Sequence, residues 1–299
     1  MRASDAERWA QTRTFHHSRY SPARIARARA QRGLGVSVCL PARECAGTVG
    51  EIVAALVGLR EQGAIDEIVV VDAGSADGTA AVAERAGAAV HQEAELMPEL
   101  GRVLGKGDAM WRALPKLRGE IVCFLDADTA GFQAHYATGL LGPLLCEPLE
   151  IEFVKAFYRR PFEQGGVSLA EGGGRVNHLL ARPALGLFYP ELAAFRQPLA
   201  GEVAARRELL ERVPFATGYG VEVGMLIDVW REVGLRRMAQ VDLDEHRNRH
   251  QPLQALGPMA RTVLATIARR LEGEGRLTGV ELAEPVLERP PLAGAPVGR

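Results

Sequence analysis

Gly119-Glu-Ile-Val-Cys-Phe-Leu-Asp126-Ala-Asp128 is a continuous apolar run that ends on two carboxylates one residue apart. A short β-branched run of this kind, stopped by acidic turn residues, reads as a strand buried on both faces. Two similar runs lie upstream, Val-Ser-Val-Cys-Leu-Pro-Ala over 36–42 and Glu-Ile-Val-Val-Val-Asp over 67–72. Between them residues 48–63 carry Val49, Ile52, Val53, Leu56 and Leu59 at helical spacing, with Gly63 as the stop. Thr48 and Glu51 stand where a capping box would open that helix. A second helix is expected over 80–87, a short strand over 88–92 and a third helix over 105–117. Strands and helices that alternate in this way build an α/β fold around a mostly parallel sheet with helices on both faces. Ligands of such sheets bind beyond the carboxyl ends of the strands. The segments to examine are therefore 41–47, 72–79 and 126–129.

The second half is less regular and mainly helical. A strand running into a basic turn is expected over 151–162, and a glycine loop opening a helix over 171–188. Helices are expected over 201–213 and 218–234, a strand with a polar exit over 236–251, and an amphipathic helix over 255–275. Residues 1–33 form an arginine-rich helical arm in this reading, and 281–299, with four prolines, a disordered tail. The domain between them spans 34–280, divided near residue 150.

Composition narrows the function. With 36 basic and 37 acidic residues among 299, the chain lacks the basic excess of a general nucleic-acid binder. It has no apolar run of about 20 residues and no apolar core near its start, so neither a membrane span nor a signal peptide is expected. Cys39, Cys45, Cys123 and Cys146 form no C-x-x-C pair and read as small hydrophobes in a reducing cytoplasm. No G-x-G-x-x-G follows the first strand and no Walker motif is present, which excludes the usual dehydrogenase and P-loop readings.

Several residues can carry chemistry. Asp126 and Asp128 can hold a hard divalent cation that bridges a diphosphate, or form an acidic turn. Ser75 and Thr79 sit in a Gly-rich turn that either caps a helix or holds a ribose. Lys106 is one of only three lysines against 33 arginines, framed by Gly105 and Gly107 at a helix start. A cation there opposes the helix dipole, so its use is to reach a ligand. Gly172 to Gly174, followed by Arg175, Val176 and Asn177, offer backbone N–H groups and a guanidinium to an anion. Glu222 is a capping acid or a group aimed into the cleft. His246 can ligate a metal, and the arginines beside it can hold a phosphate.

The blocks VSVCLPA, VVVDAGSADGT, GKGDAM, FLDAD, EFVKAFYRRP, GGGRV, QPLAGE, GYGVEVG and HRNR occur in one order between about residues 34 and 272. This set resembles the retaining glycosyltransferases of the glucosyl-3-phosphoglycerate synthase type, which have the GT-A fold. The resemblance implies that Pro41, Ala42, Glu44, Ser75 and Lys106 line a uridine diphosphate site and that Asp126 touches the ribose or the sugar. It implies that Asp128 and His246 ligate Mg²⁺ or Mn²⁺, and that Tyr219 and Glu222 face the donor sugar. Gly174, Arg175, Val176, Asn177 and Asn248 would hold 3-phosphoglycerate. Asp128, Lys106 and Glu222 are the catalytic candidates, and a cytoplasmic homodimer is expected. The chain departs from the family in places. PALNEE becomes PARECA, with Glu44 for asparagine and Cys45-Ala46 for an acidic pair; D-S-D becomes D-A-D, and G-R-V-T becomes G-R-V-N. The implied reaction moves glucose from UDP-glucose to the 2-hydroxyl of 3-phosphoglycerate with retention. Mannosyl transfer from GDP-mannose and a catalytically silent sugar-nucleotide binder are the alternatives.

Overall fold

The computed structural model describes residues 3–164, 167–169, 173–246, 253–279, 282 and 285–293. The chain opens with helix Ala3–Thr12 (α1), strand Thr14–His16 (β1) and helix Pro22–Arg32 (α2). Strand Val36–Ala42 (β2) leads through helix Val49–Glu61 (α3) to strand Glu67–Asp72 (β3). Helix Thr79–Ala86 (α4), strand Ala89–Gln92 (β4), helix Lys106–Ala113 (α5) and strand Ile121–Phe124 (β5) follow. Helix His135–Cys146 (α6) then connects to strand Phe153–Arg159 (β6).

Beyond it come a small hairpin, Phe162–Gln164 (β7) with Val167–Leu169 (β8), and a π-helical turn, Asn177–Ala181, that continues into helix Arg182–Phe188 (α7). Strand Val203–Arg206 (β9), helix Arg207–Arg212 (α8), strand Phe215–Ala216 (β10) and helix Val221–Val233 (α9) come next. Strand Met238–Glu245 (β11), helix Leu253–Gly273 (α10) and strand Glu288–Arg289 (β12) complete the order.

The main sheet has eight strands in the order β1-β11-β6-β9-β5-β2-β3-β4. Every neighbouring pair is parallel except the two made by β9, which is antiparallel to β5 and to β6. The seven other strands therefore end at one edge, and β9 alone begins there. Successive side chains alternate between the faces. Val38 and Leu40 pack with α3 and α6 through Ile52, Leu56, Leu140 and Leu144, while Cys39 and Phe124 face Met110, Leu226 and Ile267 on the other side.

Three expectations are corrected. Residues 203–206 are a strand, not part of a helix. Val-Ala-Ala-Arg is helix-compatible, but Ala204 pairs with Cys123 on one side and Val154 on the other, and sheet hydrogen bonding on both flanks overrides propensity. Residues 3–33 are not a separate arm. Thr14 pairs with Gln240 at the sheet edge, the Trp9 indole N–H donates to the Met238 carbonyl at 2.9 Å, and Ile25 is fully buried. Nor is 281–299 disordered throughout. Glu288–Arg289 pairs with Phe215–Ala216, the Trp111 indole N–H donates to the Pro290 carbonyl at 2.7 Å, and Arg289 reaches the buried Asp108 at 2.7 Å. A buried carboxylate needs a cation, and the tail supplies one.

Candidate active site

The shared edge gathers the ends of β2, β3, β5, β6 and β11 together with the start of β9. A cavity of about 270 Å³ opens there, lined by Lys106, Asp126, Asp128, the 173–177 loop, Tyr219 and Glu222 among others. Lys106 heads α5, which lies against the 215–221 segment; a Cβ on Gly107 would collide with the Ala216 carbonyl. Its ammonium lies 2.6 Å from Asp126 Oδ1 and 3.0 Å from Glu222 Oε1. Burial works against this charge, but Asp126 and then Glu222 outweigh it and hold the Lys106 pKa well above its usual value. Gly201 roofs the pair. A Cβ there would sit 2.5 Å from Asp126 Oδ2 and 2.6 Å from Lys106 Nζ. The next carbonyl back, Ala200, accepts from the buried Lys155 ammonium at 2.8 Å.

Asp128 keeps an open side toward the cleft. Crowding by the cleft walls strips much of its hydration, and with the Asp126 carboxylate nearby this raises its pKa. His246 is buried at the end of β11. Its Nε2 lies 2.8 Å from Glu202 Oε1 and 3.1 Å from Thr129 Oγ1, and its ring stacks on Tyr158 with centroids 4.3 Å apart. Burial alone would raise the Glu202 carboxyl, but the His246 ring, Arg160 and the Tyr158 hydroxyl hold it well below the carboxylate range. A carboxylate only accepts, so Nε2 carries the ring proton. Nδ1 is then a lone-pair donor, and it is buried with no hydrogen-bond partner. An imidazole whose other nitrogen is fixed by a carboxylate is the usual form of a metal-ligating histidine. Together with Asp128, whose charge feels this ring, the donor set fits a divalent cation.

The structure brings Glu44 and Ser75 together, but in a neighbouring loop pair and not in the main cavity. The Glu44 amide donates to Ser75 Oγ at 2.9 Å, and Glu44 Oε1 accepts from the Ala76 amide at 2.8 Å. Pro41 and Ala42 pair with Val71 and Asp72 beneath them, and Asp72 Oδ1 is buried without a partner. Neither expected cap forms. The Thr48 hydroxyl donates to the Ala127 carbonyl at 2.6 Å, and Thr79 Oγ1 accepts from the Cys45 amide at 2.8 Å. Both hydroxyls lace the loops of the site together instead.

Gly174, Arg175 and Val176 line the cavity. Asn177 also lines it, but its side chain is engaged by the Arg196 carbonyl and the Leu199 amide, each at 3.3 Å. Asn248 lies outside the described residues. Tyr219 stands 57% exposed at the rim. Arg160 was missed: it lines the cavity, stacks on Tyr158 and has a buried Nε without a partner. Glu202, which fixes His246, was missed too. Their signals in the sequence are the YRRP exit of β6 and the acid of the QPLAGE block.

A family model described as "Glycosyl transferase family 2" matches residues 37–133. The chain is 42% identical over 265 residues to glucosyl-3-phosphoglycerate synthase of Mycolicibacterium paratuberculosis, covering 88% of this chain and 79% of that protein. Its fold superposes on mannosyl-3-phosphoglycerate synthase from Rubrobacter xylanophilus with a TM-score of 0.89 at 45% identity, covering 96% of this chain and 98% of that one. It also superposes on glucosyl-3-phosphoglycerate synthase from Mycobacterium tuberculosis in complex with Mn²⁺, UDP-glucose and phosphoglyceric acid, with a TM-score of 0.78 at 40% identity over 90% and 93% of the two chains. On its fold, its site and its relatives, this chain belongs to the glucosyl-3-phosphoglycerate synthase family of GT-A glycosyltransferases.

Proposed function

We propose that the chain transfers glucose from UDP-glucose to the 2-hydroxyl of 3-phosphoglycerate, with retention and with Mg²⁺ or Mn²⁺ bound. The observation that carries this reading is one cavity that joins Lys106, Asp126 and Asp128 to the Gly174–Arg175 loop. When bound by Asp128 and His246, the cation neutralises charge on the departing diphosphate. Lys106, fixed by Asp126 and Glu222, adds a second positive charge near the leaving group. Arg175 and the N–H groups of its loop clamp the acceptor's anionic groups, so its hydroxyl arrives oriented. Glu222 is engaged by Lys106 through Oε1, which favours a positioning role for it and with that a front-face route in which the leaving phosphate takes the acceptor proton.

In this reading residues from about 34 to 150 serve the nucleotide sugar and those from about 151 to 280 the acceptor. The cytoplasm is the proposed compartment, which four free cysteines support. Among the described residues no helix is long and apolar enough to cross a membrane.

A second reading, mannosyl transfer from GDP-mannose, is favoured by the similarity to the Rubrobacter xylanophilus protein and by Glu44-Cys45-Ala46 in the base-side loop. A panel of both donors against 3-phosphoglycerate, with and without Mg²⁺, tests the proposal. UDP-glucose turnover that needs the cation is expected. Turnover with GDP-mannose alone would replace the donor, and no turnover with either would overturn the acceptor assignment.

A further inference from the structure

On the flank of the sheet, outside the cleft, β1 and β11 run parallel at the edge, and their ends bring three ligating side chains together. His16, His17 and the Asp244 carboxylate offer one ligand atom each, all within 4.8 Å of one another. His16 Nε2 is 3.3 Å from Asp244 Oδ1, and His17 Nε2 is 2.6 Å from Asp244 Oδ2. Ligands held about 2.0 Å from a tetrahedral ion lie about 3.3 Å apart, so small side-chain rotations bring all three into a coordination shell.

The rings are preorganised. His17 lies between His16 and His135, with centroids 4.5 and 4.0 Å away, and His135 is itself fixed to the Leu243 carbonyl at 3.2 Å. His16 Nδ1 faces the Ser18 hydroxyl at 2.9 Å, which can accept a hydrogen bond from Nδ1–H when Nε2 binds an ion. The Ser18 amide, 3.2 Å from the same nitrogen, gives up its contact in that state. Asp244 holds φ +66°, uncommon outside glycine, with its amide donating to Asp242 Oδ1 at 2.9 Å. Arg159 competes for Asp244 from 3.9 Å, on a side chain that is mostly exposed and free to swing away.

We propose that His16, His17 and Asp244 form a second metal site that takes one Zn²⁺ or Co²⁺ ion, separate from Asp128 and His246. Two imidazoles and one carboxylate select such ions over Mg²⁺, which prefers oxygen ligands. The ion staples the amino-terminal strand to β11 two residues before His246.

The test uses the tag-free full chain, stripped with EDTA and titrated with ZnCl₂ by calorimetry without nucleotide. Asp128→Ala is the background, because it removes the cleft site. One Zn²⁺ per chain is expected there, weakened at least tenfold by adding His17→Gln or Asp244→Asn. Co²⁺ should give visible d–d bands that the same changes abolish. Melting in EDTA shows whether each variant folds, and His16→Gln, at a half-exposed ring, serves if His17→Gln does not. Absence of stoichiometric Zn²⁺ in the Asp128→Ala chain would overturn the proposal. So would Zn²⁺ affinity unchanged in every folded variant.

Discussion

Gly201→Ala adds one methyl group and no charge, yet it should disable the enzyme. The new Cβ would meet Lys106 Nζ at 2.6 Å, whereas ordinary contact begins at 3.4 Å. The Lys106–Asp126 pair must therefore retreat by about 0.8 Å, the difference between those two distances. Misplacing a catalytic group by about 1 Å costs roughly 10²-fold, or about 2.7 kcal/mol in the transition state. We expect kcat/KM for nucleotide-sugar turnover to fall by about 30- to 100-fold. Overpacking costs about 1–3 kcal/mol of stability, with the lower end expected because one side of the site is open. Gly58→Ala is the control. Gly58 lies within α3 with nothing within 4 Å of its added Cβ, and alanine there should be neutral or stabilising by up to about 1 kcal/mol. Steady-state release of nucleoside diphosphate and thermal melting of both variants decide the matter. Gly201→Ala turning over within threefold of the parent would refute the argument that this glycine sets the position of Lys106.

Other outcomes follow from the same structure. Asp128→Ala should abolish cation-dependent turnover and leave melting nearly unchanged, since the side chain opens on the cleft; activity retained with Mg²⁺ would exclude its role. Burial lowers the Lys155 pKa from 10.5 to about 8, so between those values the unfolded chain holds more protons and the lysine's contribution to stability rises with pH. The stability advantage of Lys155→Met over the parent should thus shrink by about 3 kcal/mol between pH 7 and 10.5, read by urea unfolding; a constant gap counts against it. Arg289→Ala removes contacts of 2.7 and 2.9 Å to the fully buried Asp108 and leaves it with Arg112. A loss of about 1–3 kcal/mol is expected, with turnover at 25 °C unchanged, and unaltered melting would show the tail is not anchored there.

The parts of the fold visible in the sequence were those set by local pattern. β2, β3 and β5 are continuous apolar runs whatever surrounds them, and Asp126, Asp128 and Lys106 are conspicuous because polar groups end or frame such runs. β9 was hidden because alanine suits a helix as well, and only pairing with Cys123 and Val154 makes 203–206 a strand. β1 is three residues long and is a strand only through its partner some 226 residues away. Glu202 carries no local mark either: its use depends on His246 and Tyr158, which the chain brings to it from other strands. Arg160 bonds a neighbour two residues back, Tyr158, and only the fold turns that basic exit of β6 into the cavity.

The pairing of Thr14 with Gln240 also sets an order of events during synthesis. The 226 residues between them take about 10–45 s to translate at 5–20 residues per second. Until β11 emerges, β1 has no strand to join, and the amino-terminal segment must wait while the strands from β2 to β5 can already assemble. A strand made before β2 is thus among the last to dock, and it then seals the sheet edge next to the strand that leads to His246.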